Sequence, residues 1–219
     1  MSRILLVRHG QASFGAADYD QLSSLGEEQS RLLGASLAAR GVGPDLVLRG
    51  SMKRHRQTAT AAVAGAGWSA DVVEDDGWDE FDHLSTLSGS ALFEEVEGES
   101  YDDRVVRFDA TIDRWASGRH DDEYREDFPT FQARVTAAAE RVLERLDPKQ
   151  TAVVFTSGGP VSWVSSSLVD GGLPAWARLS RVVVNSSVTK VVLGRRGTSL
   201  VSFNDHGHLE GREGLVSYR

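Results

Sequence analysis

Cysteine is missing from all 219 residues. Its absence excludes disulfides, thiolate metal centres and cysteine nucleophiles, and it fits a reducing compartment. Long apolar runs are missing as well: none approaches the ~20 residues a membrane-crossing helix needs. A strand-like run begins already at Ile4, leaving no room for a signal peptide, so a cytoplasmic location is expected. Basic charge is scarce too. Lys and Arg number 24 against 32 Asp and Glu, for a formal net charge of −8. That balance opposes nucleic acid and anionic membrane surfaces, and no basic arm offsets it, although it leaves room for a local cationic pocket. Neither nucleic acid nor membrane is therefore expected as a partner, and the chain has no internal repeat or low-complexity tract.

What is present is ordinary for a globular domain, with 40% hydrophobic and 26% charged residues. Residues 3–7 form a short continuous apolar strand. The segment from Ser24 to Arg40 reads as a helix, with Ser24 and Glu27 as a capping box, Leu25, Leu32, Leu33 and Leu37 on one face, and Gly41 closing it. "PDLVLRG" (44–50) is a second strand, "SMKRHRQTATAAVAGA" (51–66) a second helix and "ADVVED" (70–75) a third strand. From Glu74 to Asp103 the chain carries twelve acidic residues and no lysine or arginine, the mark of an inserted segment. Two amphipathic helices follow, striped by Val105, Phe108, Ile112 and Trp115, then by Phe128, Phe131, Val135, Ala138, Val142 and Leu146. "TAVVFTSGGPVSWVSSSLV" (151–169) repeats the opening design of strand, small-residue turn and helix, and "SVTKVVL" and "LVSFN" form a hairpin about "GRRG". Strands alternating with helices predict an α/β three-layer sandwich, with a mostly parallel central sheet, helices on both faces and a helical or loop cap insertion. We expect one domain over residues 1–219 with that acidic cap around 76–128.

In such sheets, ligands gather beyond the carboxyl ends of strands. "RILLVRHGQASF" (3–14) puts Arg8 and His9 at one strand end, and "SMKRHRQTA" puts Arg54, with Lys53 and Arg56 beside it, at another. Arginine stays charged and holds phosphate oxygens bidentately, so two arginines near one histidine suggest a phosphate pocket.

In these residues the sequence resembles the histidine phosphatase superfamily, the phosphoglycerate mutase-like enzymes. "LLVRHGQAS" resembles its nucleophile motif, "GSMKRHRQTA" its second-arginine motif and "GWDEFDH" the segment with its acidic residue. The spacing "YDQLSSLGEEQSRLLG" between the first two also fits, as do "FTSGGPV", "NSSVTKVVL" and the closing "FNDHGHL", so the resemblance spans nearly the whole chain. It implies that His9 attacks phosphorus to give a phosphohistidine that water hydrolyses, with Arg8 and Arg54 as the clamp. Glu80 would protonate the leaving group, for which its pKa must be raised. Its neighbours Asp79 and Asp82 are alternatives for that role. Gln11, Ser157 and Gly158 would complete phosphate binding. No cofactor and no metal is expected, and the partner would be a small phosphomonoester, with Trp78, Phe81 and Phe93 as candidate lining for its leaving group.

One departure stands out. Where the family presents a second histidine before Gly-Gly, this chain has Ser157, which can donate a hydrogen bond but carries no charge. His83 is the expected substitute because it shares the acidic loop with Glu80, ahead of His206 and His208, while His55 is expected on a helix surface. The loss leaves two alternatives to a phosphatase: a mutase-type phosphotransferase, or a degenerate protein that binds a phosphate ligand without turnover. A serine hydrolase using Ser157, Asp170 and His206 is disfavoured because Phe155 crowds the turn where a nucleophile elbow needs glycine. A metal site in "DHGHLE" is disfavoured as a solvated tail.

Overall fold

β1 (Ser2–Arg8) shows why these sequences fold as they do: Ile4, Leu5, Leu6 and Val7 are all buried, because both faces of the strand are covered. The computed structural model describes residues 1–13, 20–81 and 100–218. β2 (Leu46–Arg49), β3 (Val72–Glu74), β4 (Thr151–Thr156), β5 (Val188–Gly194) and β6 (Gly197–Asp205) complete one six-stranded sheet, ordered β3-β2-β4-β1-β5-β6. The first four in that order are mutually parallel, and only β5 runs against its neighbours β1 and β6. β4 sits at the centre, and every one of its residues is buried.

Among the described residues there are six α-helices: α1 (Ser24–Ala39), α2 (Lys53–Ala66), α3 (Tyr101–Ala116), α4 (Phe128–Arg145), α5 (Gly158–Ser167) and α6 (Gly172–Ser180). Leu5, Val7, Val153 and Phe155 point to one face of the sheet, where Leu33 and Leu37 of α1 and Ala59 and Ala62 of α2 cover them. On the opposite face Ile4 and Leu6 share a cavity wall with Ala139 and Leu143 of α4 and Trp163 and Val164 of α5. The predicted three layers are therefore present, with alternate residues of β1 serving the two helical layers. The helix caps differ in detail from the sequence reading. Ser23, not Ser24, caps α1, its hydroxyl accepting the Gly26 N–H at 3.1 Å, because Ser24 already has helical geometry.

The chain divides into two compact units, Met1–Asp79 with Val135–Arg219, and Glu80–Arg134. The first contains the sheet. The second has its own aromatic cluster, in which Phe81 stacks on Trp115 at 4.5 Å between ring centres and meets Phe131 edge-on at 5.8 Å. Phe128 meets Trp115 at 5.1 Å. Of the three aromatics expected at a leaving-group site, Phe81 is thus a core residue of this unit. Trp78 is wholly buried in the first, and Phe93 lies outside the described residues. No helix among the described residues is long and apolar enough to cross a membrane.

Candidate active site

Three parallel strand ends build the site. β1 and β4 are registered so that Arg8 pairs with Thr156, and the next residues, His9 and Ser157, leave the sheet side by side. The His9 N–H donates to the Thr156 carbonyl at 2.8 Å. On the other side of β4, the Gly50 N–H donates to the Phe155 carbonyl at 3.0 Å as β2 turns into α2.

His9 is buried, and its Nδ1 lies 2.7 Å from the Gly10 carbonyl oxygen. A carbonyl only accepts, so Nδ1 carries the proton and Nε2 keeps its lone pair. Burial drives the imidazole pKa well below the usual histidine range, and Arg54, Arg8 and His55 push it the same way, against the Gly10 hydrogen bond. A neutral ring with one committed nitrogen and one open lone pair is a nucleophile. The backbone around it is fixed: the His9 carbonyl accepts from the Ser186 N–H at 3.1 Å, and the Gly10 N–H donates to Thr58 Oγ1 at 3.0 Å. Position 10 requires glycine, since a Cβ there would strike the Gly26 carbonyl of α1.

Both arginines sit beside this ring. Arg8 donates through Nη1 to the Val183 carbonyl, and its Nε would lie 3.7 Å from a Cβ placed on Gly158, so its guanidinium lies against the start of α5. Arg54 is buried and pairs with Asp20 at 2.7 Å, while the other Asp20 oxygen accepts the Lys53 N–H at 2.8 Å. One carboxylate thereby fixes Arg54 and the first turn of α2 together. Arg56 is exposed. Gln11 is half-buried and accepts the Ser23 hydroxyl on its side-chain oxygen at 2.9 Å, which ties it to the cap of α1.

The sequence reading of His55 is overturned. The residue is fully buried, and its Nε2 lies 2.7 Å from Ser157 Oγ. It reaches inward because the buried face of α2 starts in the helix's first turn, with Arg54 and His55, where the helix abuts the end of β4. Its ring centre is 5.8 Å from that of His9, and its Nδ1 is 3.5 Å from Asp79 Oδ1. Asp79 also accepts the Ser51 N–H at 2.6 Å. Burial raises the Asp79 pKa, but the nearby His55 and the Ser51 hydrogen bonds outweigh it and hold the carboxyl below its ordinary range. Burial lowers the His55 pKa, with Arg54 adding to that and Asp79 opposing it.

The two tail histidines have partners other than Ser157. His206 Nδ1 is 2.6 Å from the Asn204 carbonyl, and His208 Nε2 is 3.0 Å from Ser186 Oγ. The histidine meeting Ser157 is therefore not that of the serine-hydrolase order, and Asp170 stands in a left-handed conformation beyond the end of α5. Among the described residues no group of three or more His, Cys, Asp or Glu is arranged to hold a metal ion. Glu80 begins the second compact unit, half-buried, with its Oε1 3.3 Å from the Phe81 N–H. His83 and Asp82 lie outside the described residues.

The sequence profile of the histidine phosphatase superfamily (branch 1) matches residues 4–206. Comparison with curated proteins gives no match. Among solved structures, the YhfR protein of Bacillus stearothermophilus superposes with a TM-score of 0.69 at 18% identity, over 95% of this chain and 99% of that one. A phosphoglycerate mutase of Bacillus anthracis gives 0.64 at 18% identity, with 94% of each chain covered. A phosphoserine phosphatase of Entamoeba histolytica gives 0.60 at 16%, over 95% of this chain and all of its own. At such identities the structural matches establish the shared fold.

Proposed function

The chain belongs to branch 1 of the histidine phosphatase superfamily, and from that membership we propose that it is a phosphomonoester hydrolase working through a phosphohistidine on His9. The observation that carries this reading is the state of His9: buried, its pKa held low by burial and by the charges of Arg54 and Arg8, with Nδ1 committed to the Gly10 carbonyl. In the first step the Nε2 lone pair forms the N–P bond as the ester P–O bond breaks. Arg8 and Arg54 hold the transferring oxygens, so the catalysis is mainly positioning and charge stabilisation. The alkoxide leaves with a proton from the Glu80 carboxyl. In the second step a water oxygen forms the new P–O bond, the N–P bond breaks, and the water's proton restores the Glu80 carboxyl. Glu80 enters on its family motif, "WDEFD".

Hydrolysis is preferred to mutase chemistry because the acidic segment 74–103 opposes the highly charged substrates that a mutase would carry between positions. A leaving group of modest charge suits it better. The test is turnover of p-nitrophenyl phosphate by wild type and by His9→Ala, with a second alcohol added as competing acceptor. Release of inorganic phosphate by wild type, absent from the variant, supports the reading. Equal rates in both proteins refute hydrolysis, and transfer chiefly to the added alcohol favours the phosphotransferase.

A further inference from the structure

Ser157 has a hydroxyl with an unusual assignment. It occupies the N-cap of α5, where serine normally bonds its own helix, yet it makes no such cap bond and faces His55 Nε2 at 2.7 Å. Behind it the imidazole is enclosed. Its Nδ1 faces Asp79 at 3.5 Å, and a Cβ on Gly50 would collide with that same nitrogen and with Asp79 Oδ1. The sequence thus keeps glycine at 50 where the histidine and the carboxylate need to approach. A serine, a histidine and a carboxylate in line, beside the nucleophile His9, have no role in the two steps above.

We propose that Ser157 and His55 act as one proton-linked donor for the phosphate, Ser157 touching the anion and His55 positioned behind it. The proposal rests on the phosphatase reading only for the place of the anion. With the pocket empty of anion, His55 is neutral: Nδ1–H faces the Asp79 carboxylate, and Nε2 accepts the Ser157 hydroxyl proton, which then cannot reach a ligand. When a dianion arrives beside Ser157, His55 takes one proton from solvent on Nε2. That N–H donates to Ser157 Oγ, and the serine hydroxyl turns its own proton to an anion oxygen. The dianion and Asp79 together offset the cost of the buried imidazolium. The charged groups acting on His55 are Asp79 and Asp20, which favour the proton, and Arg54, which opposes it; its ring also neighbours that of His9. A serine at the strand end thereby recovers the positive charge that the residue itself cannot supply.

Sulfate is the probe, since it is a dianion that does not titrate near neutrality and is not turned over. Binding is measured calorimetrically between pH 6 and about pH 8.5, in buffers of different ionisation heat, on a His9→Asn background that removes proton uptake by the nucleophile. The expected result is net proton uptake on binding, with affinity falling by up to about tenfold per pH unit, the limit for one linked proton. Adding His55→Gln, which keeps a donor but cannot titrate, should remove both. Equal uptake in the two proteins, or none in either, would overturn the proposal. A second pair of variants covers a His55→Gln protein that does not fold. Ser157→His alone would force an imidazole into the space of His55, and His55→Ala alone would leave the serine unsupported. The double variant conserves volume and should recover at least about tenfold in kcat over either single; a double no better than the worse single would contradict the coupling. Failure of sulfate-linked uptake in a protein whose wild type hydrolyses phosphate esters removes this proposal alone. Uptake without hydrolysis removes the phosphatase reading alone.

Discussion

The carboxyl ends of β1 and β4 are adjacent and parallel and follow buried apolar runs, yet they present different side chains beyond the sheet. At β1 the strand delivers its own histidine, and Gly10 next to it supplies both the carbonyl that sets the tautomer and the space to pass α1. At β4 the strand delivers Ser157, and the imidazole comes from the first turn of α2. The comparison teaches that an imidazole can reach a strand end from the next element over, without the strand itself carrying it.

The largest effect should follow from breaking the β1 end. His9→Ala removes the atom that forms the bond, and turnover of any phosphomonoester should fall on the order of 10³-fold or more, measured as kcat/KM. Next is Glu80→Gln. Its loss should be about 10²–10⁴-fold for an alkyl phosphate, whose leaving group needs a proton, and far smaller for p-nitrophenyl phosphate, whose leaving group does not. Equal losses on the two substrates would remove Glu80 from the acid role. Arg54→Ala should cost about 10²–10³ in kcat, as expected for one donor to a transferring oxyanion.

The β4 end should break more gently and from a distance. Gly50→Ala touches no substrate, yet it crowds His55 against Asp79 and should destabilise the fold by about 1–3 kcal/mol in urea unfolding. The smallest effect is in pH. Burial, then Arg40, lowers the His208 pKa to about 4, and His9 and His55 are lowered as well. An unfolded histidine, near 6.5, binds its proton at higher pH than these folded ones. Their contribution to stability is therefore full above about pH 6.5 and is lost as pH falls toward 4, so Tm should decline across that window. A flat Tm from pH 7.5 to pH 4.5 would contradict the buried neutral assignments.

The contrast also explains what the sequence could disclose. β1 and β4 were legible because strands covered on both faces appear as unbroken apolar runs, and Arg8, His9 and Arg54 because they stand at turns leaving those runs. The cap of α1 slipped by one residue because Ser23 and Ser24 are equally able to cap and only backbone geometry separates them. His55 was not legible: within "KRHRQ" it sits among charged neighbours, and nothing local says that the face it shares with Arg54 is turned inward. The signal that would have found it is a pairing, Ser157 where the family resemblance implies a histidine and His55 in a motif that the parallel sheet makes its neighbour. Asp20 was missed for a related reason, since its partners Lys53 and Arg54 lie more than thirty residues away.

The central claim, that His9 takes the phosphoryl group on Nε2, is tested most directly by trapping it. Wild type and His9→Ala are mixed with a radiolabelled phosphomonoester, quenched in alkali during turnover, and the labelled peptide is mapped. An alkali-stable, acid-labile phosphoryl group on Nε2 of His9 is expected in wild type, with none in the variant. Label on Nδ1 or on another residue, or equal label in both proteins, would contradict it.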